Sequence, residues 1–346
     1  MANKTKVAFF ELEKWEEKYI YARLEKEKDL SLEFHDTQVK KKDIKSLAEI
    51  DILAAFIYSS LDKNTLEKLT KLKMIATMST GFDHIDLDFC AEKKIKVSNV
   101  PFYGENTVAE HTLALLLALS RKLIPSAERA RTGNFSLDGL RGFDLKGKTI
   151  GLVGLGHIGS KFAAMVASLG MNILVYDLKP NKKLAKELKL KYVSLEQLFG
   201  NSDIISLHVP YNKGTHHNKG THHLINNKNI KLIKRGAYLL NTSRGGLVSS
   251  SALLKALDNG ILAGAGLDVL EEEGFIKEEK ELLSKEFNKN FDLKTVLRNH
   301  LLLQNPKVII TPHNAFNSQE ALVRILDTTI ENILAYQKKK PVNLVQ

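Results

Sequence analysis

The stretch KTIGLVGLGHIGSKFAAMVASLGMNILVYD, residues 148 to 177, decides the fold that this sequence predicts. It contains an apolar strand, a glycine-rich turn, a helix and a second apolar strand, and this order predicts a βαβ unit of a parallel sheet. The turn carries Gly154, Gly156 and Gly159 in the pattern G-x-G-x-x-G. The first glycine permits the tight turn, the second lets the backbone approach a pyrophosphate, and the third lets the helix pack closely on the strand. The stretch therefore predicts a dinucleotide-binding turn.

The acidic residue that ends the second strand indicates which dinucleotide binds. Asp177 follows Gly159 by 18 residues, where it would accept hydrogen bonds from the ribose hydroxyls of the adenosine and repel a 2′-phosphate. The helix after the turn offers free N–H groups and a partial positive charge to the phosphates. We therefore expect NAD rather than NADP, although Lys179 weakens that preference a little.

Short apolar runs alternate with helical segments on both sides of this stretch. KVAFFELE, LSLEFH, DILAAFI and MIATMST precede it, and DIISLHV, AYLLNTS, AGAGLDV and KVIITPH follow it. Such alternation predicts parallel sheets with helices on their faces. Between the two series lies NTVAEHTLALLLALSRKL, residues 106 to 123, whose apolar character all round is typical of a helix buried between domains or subunits. The sequence therefore predicts an α/β protein with two doubly wound Rossmann-like domains and a cleft between them.

Composition argues against several classes of protein. The net charge is +11, but the lysines occur in short scattered runs such as VKKKDIK and AYQKKKP, which favours a solvated surface over a nucleic-acid site. Cys90 is the one cysteine, so no disulfide can form within the chain, and this suits a reducing compartment. The start of the chain lacks a signal-peptide pattern, and LALLLAL, the longest apolar run, is too short to span a bilayer. We expect a cytoplasmic protein with no membrane or nucleic-acid partner.

Three polar segments follow predicted strands, where ligands bind in an open α/β sheet. NTSRGGLV contains Arg244, GLDVLEEE contains Asp268 and the acidic run 271 to 273, and TPHNAF contains His313. An arginine fork can grip a carboxylate and polarise a keto oxygen. A histidine can protonate that oxygen as hydride reaches the carbon, and a nearby carboxylate keeps the imidazole charged. Together with the nucleotide turn, these residues predict hydride transfer to a small 2-keto acid.

These motifs together resemble the D-isomer-specific 2-hydroxyacid dehydrogenases. The matching segments are STGFDHIDL, NTVAEHTLALLLALSR, GLVGLGHIG, NTSRGGLV, AGAGLDVLEEE and TPHNAF, which occur in the family's order over nearly the whole chain. RTGNFSLDGLRGFDLKGKTIG, PFYGENTVAEH and TPHNAF are closest to the fermentative D-lactate dehydrogenase branch. The resemblance implies NADH-dependent reduction of pyruvate to D-lactate, with another 2-keto acid (branched-chain, hydroxypyruvate or glyoxylate) as the alternative substrate.

The resemblance also implies roles for individual residues. Arg244 binds the carboxylate and carbonyl of the substrate, and His313 is the acid/base. Glu273, 29 residues beyond Arg244, is the carboxylate paired with His313, so Glu271 and Glu272 are expected to be bystanders. The backbone of Thr80, Gly81 and Phe82 forms a second carboxylate clamp, and the aromatic rings of Tyr103 and Phe316 face the substrate. The residues expected to contact NAD are Gly154, Gly156, His157, Ile158, Gly159, Asp177, His208, Val209, Pro210, Thr242 and Asp268.

The domain division is a further implication of the resemblance. The substrate domain would comprise residues 1 to 102 together with 318 to 346, because the final helix would return to it. Residues 103 to 317 would form the NAD-binding domain. The long apolar helix would help this domain form a homodimer. A different class, an NAD(H)-sensing corepressor-like binding protein, remains open, although the extended tails typical of such proteins are not visible.

Two features depart from the family pattern. The first is the charged stretch between Glu273 and His313, which is longer than the corresponding loop of the lactate branch and which we expect to be a solvated excursion rather than a partner surface. The second is a repeated hexapeptide. The hexapeptide NKGTHH occurs twice in succession, at residues 212 to 223, and places histidines at 216, 217, 222 and 223. A metal enzyme is one interpretation, but no acidic residue lies within the repeat, and we expect no metal site. One copy suffices to link the preceding strand to the following element, so we interpret the other as a six-residue tandem duplication. We expect it to bulge as a loop, because lengthening a loop costs little free energy.

Overall fold

The computed structural model describes residues 4–39, 47–214, 220–271 and 293–345. The chain divides into two compact units, one comprising Met1–Tyr103 with Ser318–Gln346 and the other comprising Gly104–Asn317. The division expected from the sequence differs from this one at Tyr103, which belongs here to the first unit. Among the described residues, no helix has the length and apolar character needed to cross a membrane.

The regular elements of the described residues alternate along the chain. They are β1 Thr5–Phe9, α1 Lys14–Leu24, β2 Leu30–Phe34, β3 Ile52–Ala55, α2 Lys63–Leu66, β4 Met74–Thr77, α3 Leu87–Glu92, β5 Lys96–Ser98, α4 Glu105–Ser120, α5 Leu123–Arg131, β6 Thr149–Val153, α6 His157–Ser168, β7 Asn172–Tyr176, α7 Lys182–Glu187, β8 Lys191–Tyr192, α8 Leu195–Asn201, β9 Ile204–Leu207, β10 Ala237–Asn241, α9 Ser250–Asp258, β11 Leu262–Leu267, α10 Leu293–Leu303, β12 Val308–Ile310 and α11 Gln319–Gln337.

The first unit contains a five-stranded sheet in the order β2-β1-β3-β4-β5. Its neighbouring strands are parallel. The central strands β3 and β4 are buried along their whole length, as expected for parallel strands covered on both faces. Side chains of Asp62, Asp86 and Ser318 cap the helices α2, α3 and α11 by accepting a backbone N–H of the first turn.

The chain returns to the first unit at its C-terminal end. The Tyr19 hydroxyl donates to Asp327 on α11 at 2.8 Å, and the Asn332 amide donates to the carbonyl oxygen of Asn99 at 2.9 Å. Beyond the helix, Leu344 forms an antiparallel bridge with Ser98 on β5. The final helix and tail therefore belong structurally to the sheet formed by the first part of the chain.

The second unit contains a seven-stranded parallel sheet in the order β12-β11-β10-β9-β6-β7-β8. The chain proceeds from β6 outward to β8 and then crosses to β9 on the opposite side of β6. The order of connection thus reverses between β6 and β9, and such a switch point is where open α/β sheets bind ligands. The predicted fold class, two Rossmann-like α/β domains, is confirmed, while the cleft between them remains a prediction.

The apolar helix predicted from the sequence corresponds to α4. It packs on β11, where a Cβ added at Gly266 would lie 3.2 Å from both Leu115 and Leu119. The glycine therefore lets the helix approach the sheet closely. The helix α4 is not buried on every side, because its residue Leu117 is exposed.

Candidate active site

The carboxyl ends of the strands in the second unit bring most of the predicted residues to one edge of the sheet. Arg244 follows β10, Asp268 follows β11, and His313 follows β12. These three strands are consecutive neighbours. The glycine turn follows β6, and His208 follows β9, on either side of the switch point. The predicted catalytic and cofactor residues of this unit therefore share one end of one sheet.

The glycine turn has the geometry that a pyrophosphate requires. Gly154 has a φ of +95°, and a Cβ there would lie 2.6 Å from the carbonyl oxygen of His208. A Cβ at Gly159 would lie 2.4 Å from the carbonyl oxygen of Gly154. No atom lies within 4 Å of the Cβ position at Gly156, the residue that precedes α6. Open space therefore adjoins the first N–H groups of a helix, and the residues present fit NAD.

Asp177 lies beside this turn and is fixed by backbone hydrogen bonds. Its carboxylate accepts the N–H of Leu155 at 2.6 Å and the N–H of Lys179 at 2.7 Å. Each oxygen keeps a second lone pair for a ribose hydroxyl. In the first turn of α6, His157 Nδ1 lies 3.1 Å from the carboxylate of Glu105. Ile158 packs against the apolar cluster of the second unit, so its backbone N–H is the group available to a phosphate.

The segment after β9 places a neutral histidine next to the turn. Burial lowers the pKa of His208 to about 4, and its Nε2 is hydrogen-bonded to Ser206 Oγ at 2.8 Å. Its Nδ1 is buried without a hydrogen-bond partner among the described residues. The next residue, Val209, packs against the core, and the carbonyl oxygen of Pro210 accepts the hydroxyl of Thr221 at 2.6 Å.

Thr242, which follows β10, is joined to the long helix. Its Oγ1 lies 2.8 Å from Oγ1 of Thr112 on α4, and both side chains are buried. The predicted contact between Thr242 and NAD remains a prediction, and the hydroxyl pair fixes the start of the turn that leads to Arg244.

Asp268 organises the turn that carries His313. The Asp268 side chain is 1% exposed, and its carboxylate accepts the N–H groups of Asn314 at 2.7 Å and Ala315 at 2.9 Å. Its carbonyl oxygen accepts the N–H of His313 at 2.9 Å. His313 has a φ of +52°, a left-handed conformation that is uncommon for a residue with a side chain. The hydrogen bonds of Asp268 therefore hold the predicted acid/base in a conformation that it would rarely adopt unaided.

Two further side chains complete the environment of Asp268. Thr311 donates its hydroxyl to Asp268 Oδ1 at 2.5 Å, and Nε2 of His111 lies 3.0 Å from that hydroxyl and 3.4 Å from Oδ1. Burial raises the pKa of Asp268, but hydrogen bonds from His111, Thr311 and the backbone outweigh burial, and the net result is a lowered pKa. Asp268 is therefore ionised at neutral pH, which gives this predicted cofactor contact an evident structural role as well.

The ring of Phe316 lies against that of His313. Their centroids are 6.4 Å apart at an interplanar angle of 75°, an edge-to-face arrangement. Glu273, the predicted partner of His313, lies outside the described residues, as does Glu272.

Arg244 occupies a turn that packs on the segment after β11. The Asn241 side-chain amide donates to the carbonyl oxygen of Arg244 at 2.9 Å, and Arg244 Nη1 donates to the carbonyl oxygen of Ser243 at 2.8 Å. A Cβ at Gly245 would lie 2.0 Å from the carbonyl group of Leu270. Glycine is thus required at 245, and the turn with Arg244 rests directly on the backbone that leads toward residue 273.

Glu271 is a structural anchor, a role that the sequence analysis did not predict. One carboxylate oxygen accepts a hydrogen bond from His223 Nε2. The other accepts the N–H of Ser250 at 3.0 Å and its hydroxyl at 2.8 Å, at the start of α9. The backbone carbonyl of Glu271 accepts the amide of Asn299 at 2.5 Å. Sequence spacing does not show this role, because the partners lie in three other segments.

The first unit holds the predicted carboxylate clamp. Residues 80 to 82 follow β4, and Asn99 Nδ2 donates to the carbonyl oxygen of Thr80 at 2.8 Å. Ser79 donates its hydroxyl to the carbonyl oxygen of Gly81 at 2.6 Å. Phe82 packs against the core of this unit. The carbonyl oxygen of Tyr103 accepts Nε of Arg324 at 2.8 Å, which ties this predicted substrate residue to α11.

Hydrogen bonds join the start of the repeated hexapeptide to its end. The carbonyl oxygen of Asn212 accepts the N–H of Thr221 at 2.9 Å and that of His222 at 3.0 Å. The N–H of Asn212 donates to the hydroxyl of Thr221 at 2.8 Å. The histidines at 216 and 217 lie outside the described residues, within which no group of three metal-ligating side chains occurs.

Comparison with known proteins decides the family. A family model described as D-isomer specific 2-hydroxyacid dehydrogenase, NAD binding domain, matches residues 113–315. The D-lactate dehydrogenase of Escherichia coli strain K12 is 34% identical over 335 residues, which cover 96% of this chain and 97% of that one. This chain belongs to the D-isomer-specific 2-hydroxyacid dehydrogenases. It is therefore an NAD-dependent D-2-hydroxyacid dehydrogenase, and the predicted cofactor is confirmed.

Two other relatives of this dehydrogenase differ in the substrates that their names give. The crystal structure of D-lactate dehydrogenase from Aquifex aeolicus, in complex with NAD and lactic acid, superposes with a TM-score of 0.84 at 38% identity and covers 96% of both chains. A glyoxylate reductase from Thermococcus litoralis is 35% identical over 310 residues, 87% of this chain and 85% of that one.

His111, Thr311 and Asn99 are residues of the dehydrogenase that sequence reasoning did not single out. His111 is a polar residue within the apolar run of α4, and that contrast is a signal that points to a buried role. Thr311 and Asn99 stand immediately after strands, as the predicted residues do, but their residue types are common at such positions. Their contacts become evident only in three dimensions.

Proposed function

We propose that this dehydrogenase reduces pyruvate to D-lactate and also catalyses the reverse reaction. The observation that carries the proposal is the hydrogen bonding of Asp268, which fixes the turn of His313. Asp268 follows β11, the strand that lies between those followed by Arg244 and His313. The similarity to D-lactate dehydrogenases over nearly the whole chain supports pyruvate as the substrate.

In this proposal each predicted catalytic residue has a defined role. Bound NADH supplies a hydride to C2 of the keto acid. The Arg244 guanidinium grips the substrate carboxylate and polarises the carbonyl oxygen. The His313 imidazolium protonates that oxygen, and the carboxylate of Glu273 stabilises the imidazolium. The backbone N–H groups of residues 80 to 82 hold the carboxylate from the substrate domain, residues 1–102 with 318–346.

The decisive experiment measures NADH oxidation with pyruvate, followed by chiral analysis of the product. We expect D-lactate, and a kcat/KM for pyruvate above those for hydroxypyruvate, glyoxylate and branched-chain 2-keto acids. A ranking with pyruvate far below another acid, or L-lactate as product, would contradict the proposal. Substantial turnover also argues against the NAD(H)-sensing binding protein.

Glyoxylate is the second candidate substrate, because a glyoxylate reductase is 35% identical to this chain. The same series of substrates separates the two candidates. If glyoxylate gave the highest kcat/KM, the chain would be a glyoxylate reductase.

We propose in addition that the NAD-binding domain forms a homodimer. Apolar side chains are exposed along α4 and α5 at Leu117, Leu123 and Ile124, and beyond α5 Phe135 and Leu137 are 81% and 82% exposed. Apolar exposure of this kind is typical of an interaction surface. Sedimentation velocity should give twice the mass of the chain, and Leu137→Asp should shift the protein toward the monomer. A monomer for the unaltered protein at micromolar concentration would contradict the dimer. The cytoplasmic location remains a prediction.

A further inference from the structure

The carboxylate clamp in the first unit is oriented by side chains that contact its carbonyl groups. Asn99 Nδ2 donates to the oxygen of Thr80 at 2.8 Å, and Ser79 Oγ donates to the oxygen of Gly81 at 2.6 Å. The Thr80 hydroxyl donates to the carbonyl oxygen of Val100 at 2.7 Å. Each of these hydrogen bonds restrains the loop after β4.

Because peptide groups are planar, these contacts also fix the directions of two N–H donors. A trans peptide is planar, so its C=O and N–H groups point in opposite directions. The hydrogen bond from Asn99 to the Thr80 oxygen therefore fixes the direction of the Gly81 N–H. In the same way, the bond from Ser79 to the Gly81 oxygen fixes the direction of the Phe82 N–H. These two N–H groups are donors that the proposed clamp offers to a carboxylate.

Asn99 is itself held by a closed ring of asparagines. Its N–H donates to the carbonyl oxygen of Asn343 at 3.1 Å. The Asn343 amide donates to Oδ1 of Asn332 at 2.9 Å, and the Asn332 amide donates to the carbonyl oxygen of Asn99 at 2.9 Å. Asn332 is fully buried and Asn99 is 8% exposed. Asn343 has a φ of +52°, which asparagine tolerates better than most residues. The ring joins the end of β5, the helix α11 and the C-terminal tail.

We infer that Asn99 is a positioning residue for the substrate carboxylate, held in register by Asn332 and Asn343. This inference rests on the proposed role of residues 80 to 82 as the clamp. The asparagine amide is suited to the task because it is neutral, and so it directs a backbone donor without adding a charge next to an anionic substrate. The C-terminal tail thereby contributes to substrate binding through the ring.

The test separates positioning from structural support by comparing a keto acid with its methyl ester. Asn99→Ala should raise the KM for pyruvate about tenfold, which corresponds to the loss of one hydrogen bond. The kcat and the KM for NADH should stay within about twofold, as expected when binding to ground state and transition state is lost equally. The kcat/KM for methyl pyruvate should change little, because the ester carries no carboxylate.

Ser98→Ala provides the matched control. Ser98 is the buried neighbour of Asn99 and donates its hydroxyl to the carbonyl oxygen of Val342 at 2.8 Å. It therefore joins the same strand to the same tail without contacting the clamp. The control variant should lose thermal stability as Asn99→Ala does, while the ratio of kcat/KM for pyruvate to that for methyl pyruvate stays unchanged.

A second variant covers the case in which Asn99→Ala does not fold. Ser79→Ala frees the carbonyl of Gly81 and should lower the same ratio. An equal loss with acid and ester in the Asn99 or Ser79 variants would overturn the inference, as would an unchanged ratio. The assay uses the keto acid with the highest kcat/KM in the unaltered enzyme, together with its methyl ester. If the kcat/KM for pyruvate were low, the proposed substrate would be rejected. The ratio of kcat/KM for acid and ester could still be measured with the preferred keto acid.

Discussion

The imidazole of His223 donates a hydrogen bond to the carboxylate of Glu271. The backbone N–H of His223 also donates to the carbonyl oxygen of Gly246 at 2.8 Å, in the turn that begins at Arg244. One residue of the repeated hexapeptide therefore connects two segments, the turn of the proposed substrate-binding arginine and the segment that leads to residue 273. The second copy of the repeat therefore helps to hold these two segments of the proposed site in place.

Replacing Glu271 should lower stability in a pH-dependent manner. Burial raises the pKa of Glu271, but hydrogen bonds from Ser250 and His223 outweigh burial and lower it overall. A carboxylate with a lowered folded-state pKa stabilises the protein above its unfolded-state pKa, about 4.3. That stabilisation disappears as the pH falls through the folded-state pKa. Glu271→Gln should therefore reduce the free energy of unfolding by about 1.5–3 kcal/mol at pH 7, and the difference should shrink below pH 4.

Urea denaturation at several pH values measures this effect. Glu49→Gln is a suitable control, since Glu49 forms an exposed ion pair with Lys71 and such pairs contribute little stability. An effect of Glu271→Gln that stayed constant from pH 7 to well below pH 4 would show that the ionised carboxylate does not matter.

Asp268→Asn should damage catalysis more than cofactor binding. The amide keeps one acceptor oxygen, whereas two backbone N–H groups and the Thr311 hydroxyl need the carboxylate. The left-handed turn of His313 would lose part of its support, and misplacement of a catalytic group by about 1 Å can lower rates by about a hundredfold. We expect kcat to fall at least tenfold, with the NADH dissociation constant within about threefold, measured by fluorescence titration.

Thr311→Val is the milder companion of this variant. It removes a single hydrogen bond to Asp268 and leaves the two backbone N–H groups in place, so its kcat should lie between those of Asp268→Asn and the unaltered enzyme. The reverse order would show that the carboxylate does not act through the His313 turn.

The sequence was most informative where local geometry determines the structure. The glycine turn, Asp177 and the strand ends with Arg244, Asp268 and His313 follow from patterns confined to a few residues, because a βαβ unit constrains them locally. The ring of Asn99, Asn332 and Asn343 could not be predicted in this way. Its members are separated by up to 244 residues of chain, and pairing over such a distance depends on how α11 and the tail pack.

His313→Asn should separate chemistry from folding. Asparagine is one of the residues that accept a left-handed conformation, so the turn at φ +52° should persist. The loss of the proton donor should lower kcat by about 10²–10⁴-fold, while the midpoint of thermal unfolding changes by less than about 3 °C. A variant that retained more than a tenth of the activity would remove His313 from the role of acid/base.

Deleting six residues of the repeat, 218 to 223, should leave an active enzyme. The deletion yields a single NKGTHH, whichever copy is removed, and it places the threonine three positions after Asn212. The hydrogen bond that now joins the Asn212 oxygen to the Thr221 N–H at 2.9 Å would then close an ordinary β-turn. The remaining histidines would keep the spacing by which His222 and His223 dock on Tyr211 and Glu271. We expect kcat within about twofold and a modest change in the KM for NADH.

As a control, His223→Ala in the full-length chain should be more damaging than the deletion, because it removes the contact with Glu271. Loss of activity on deletion, with His223→Ala unaffected, would contradict the interpretation of the extra copy as a tolerated insertion.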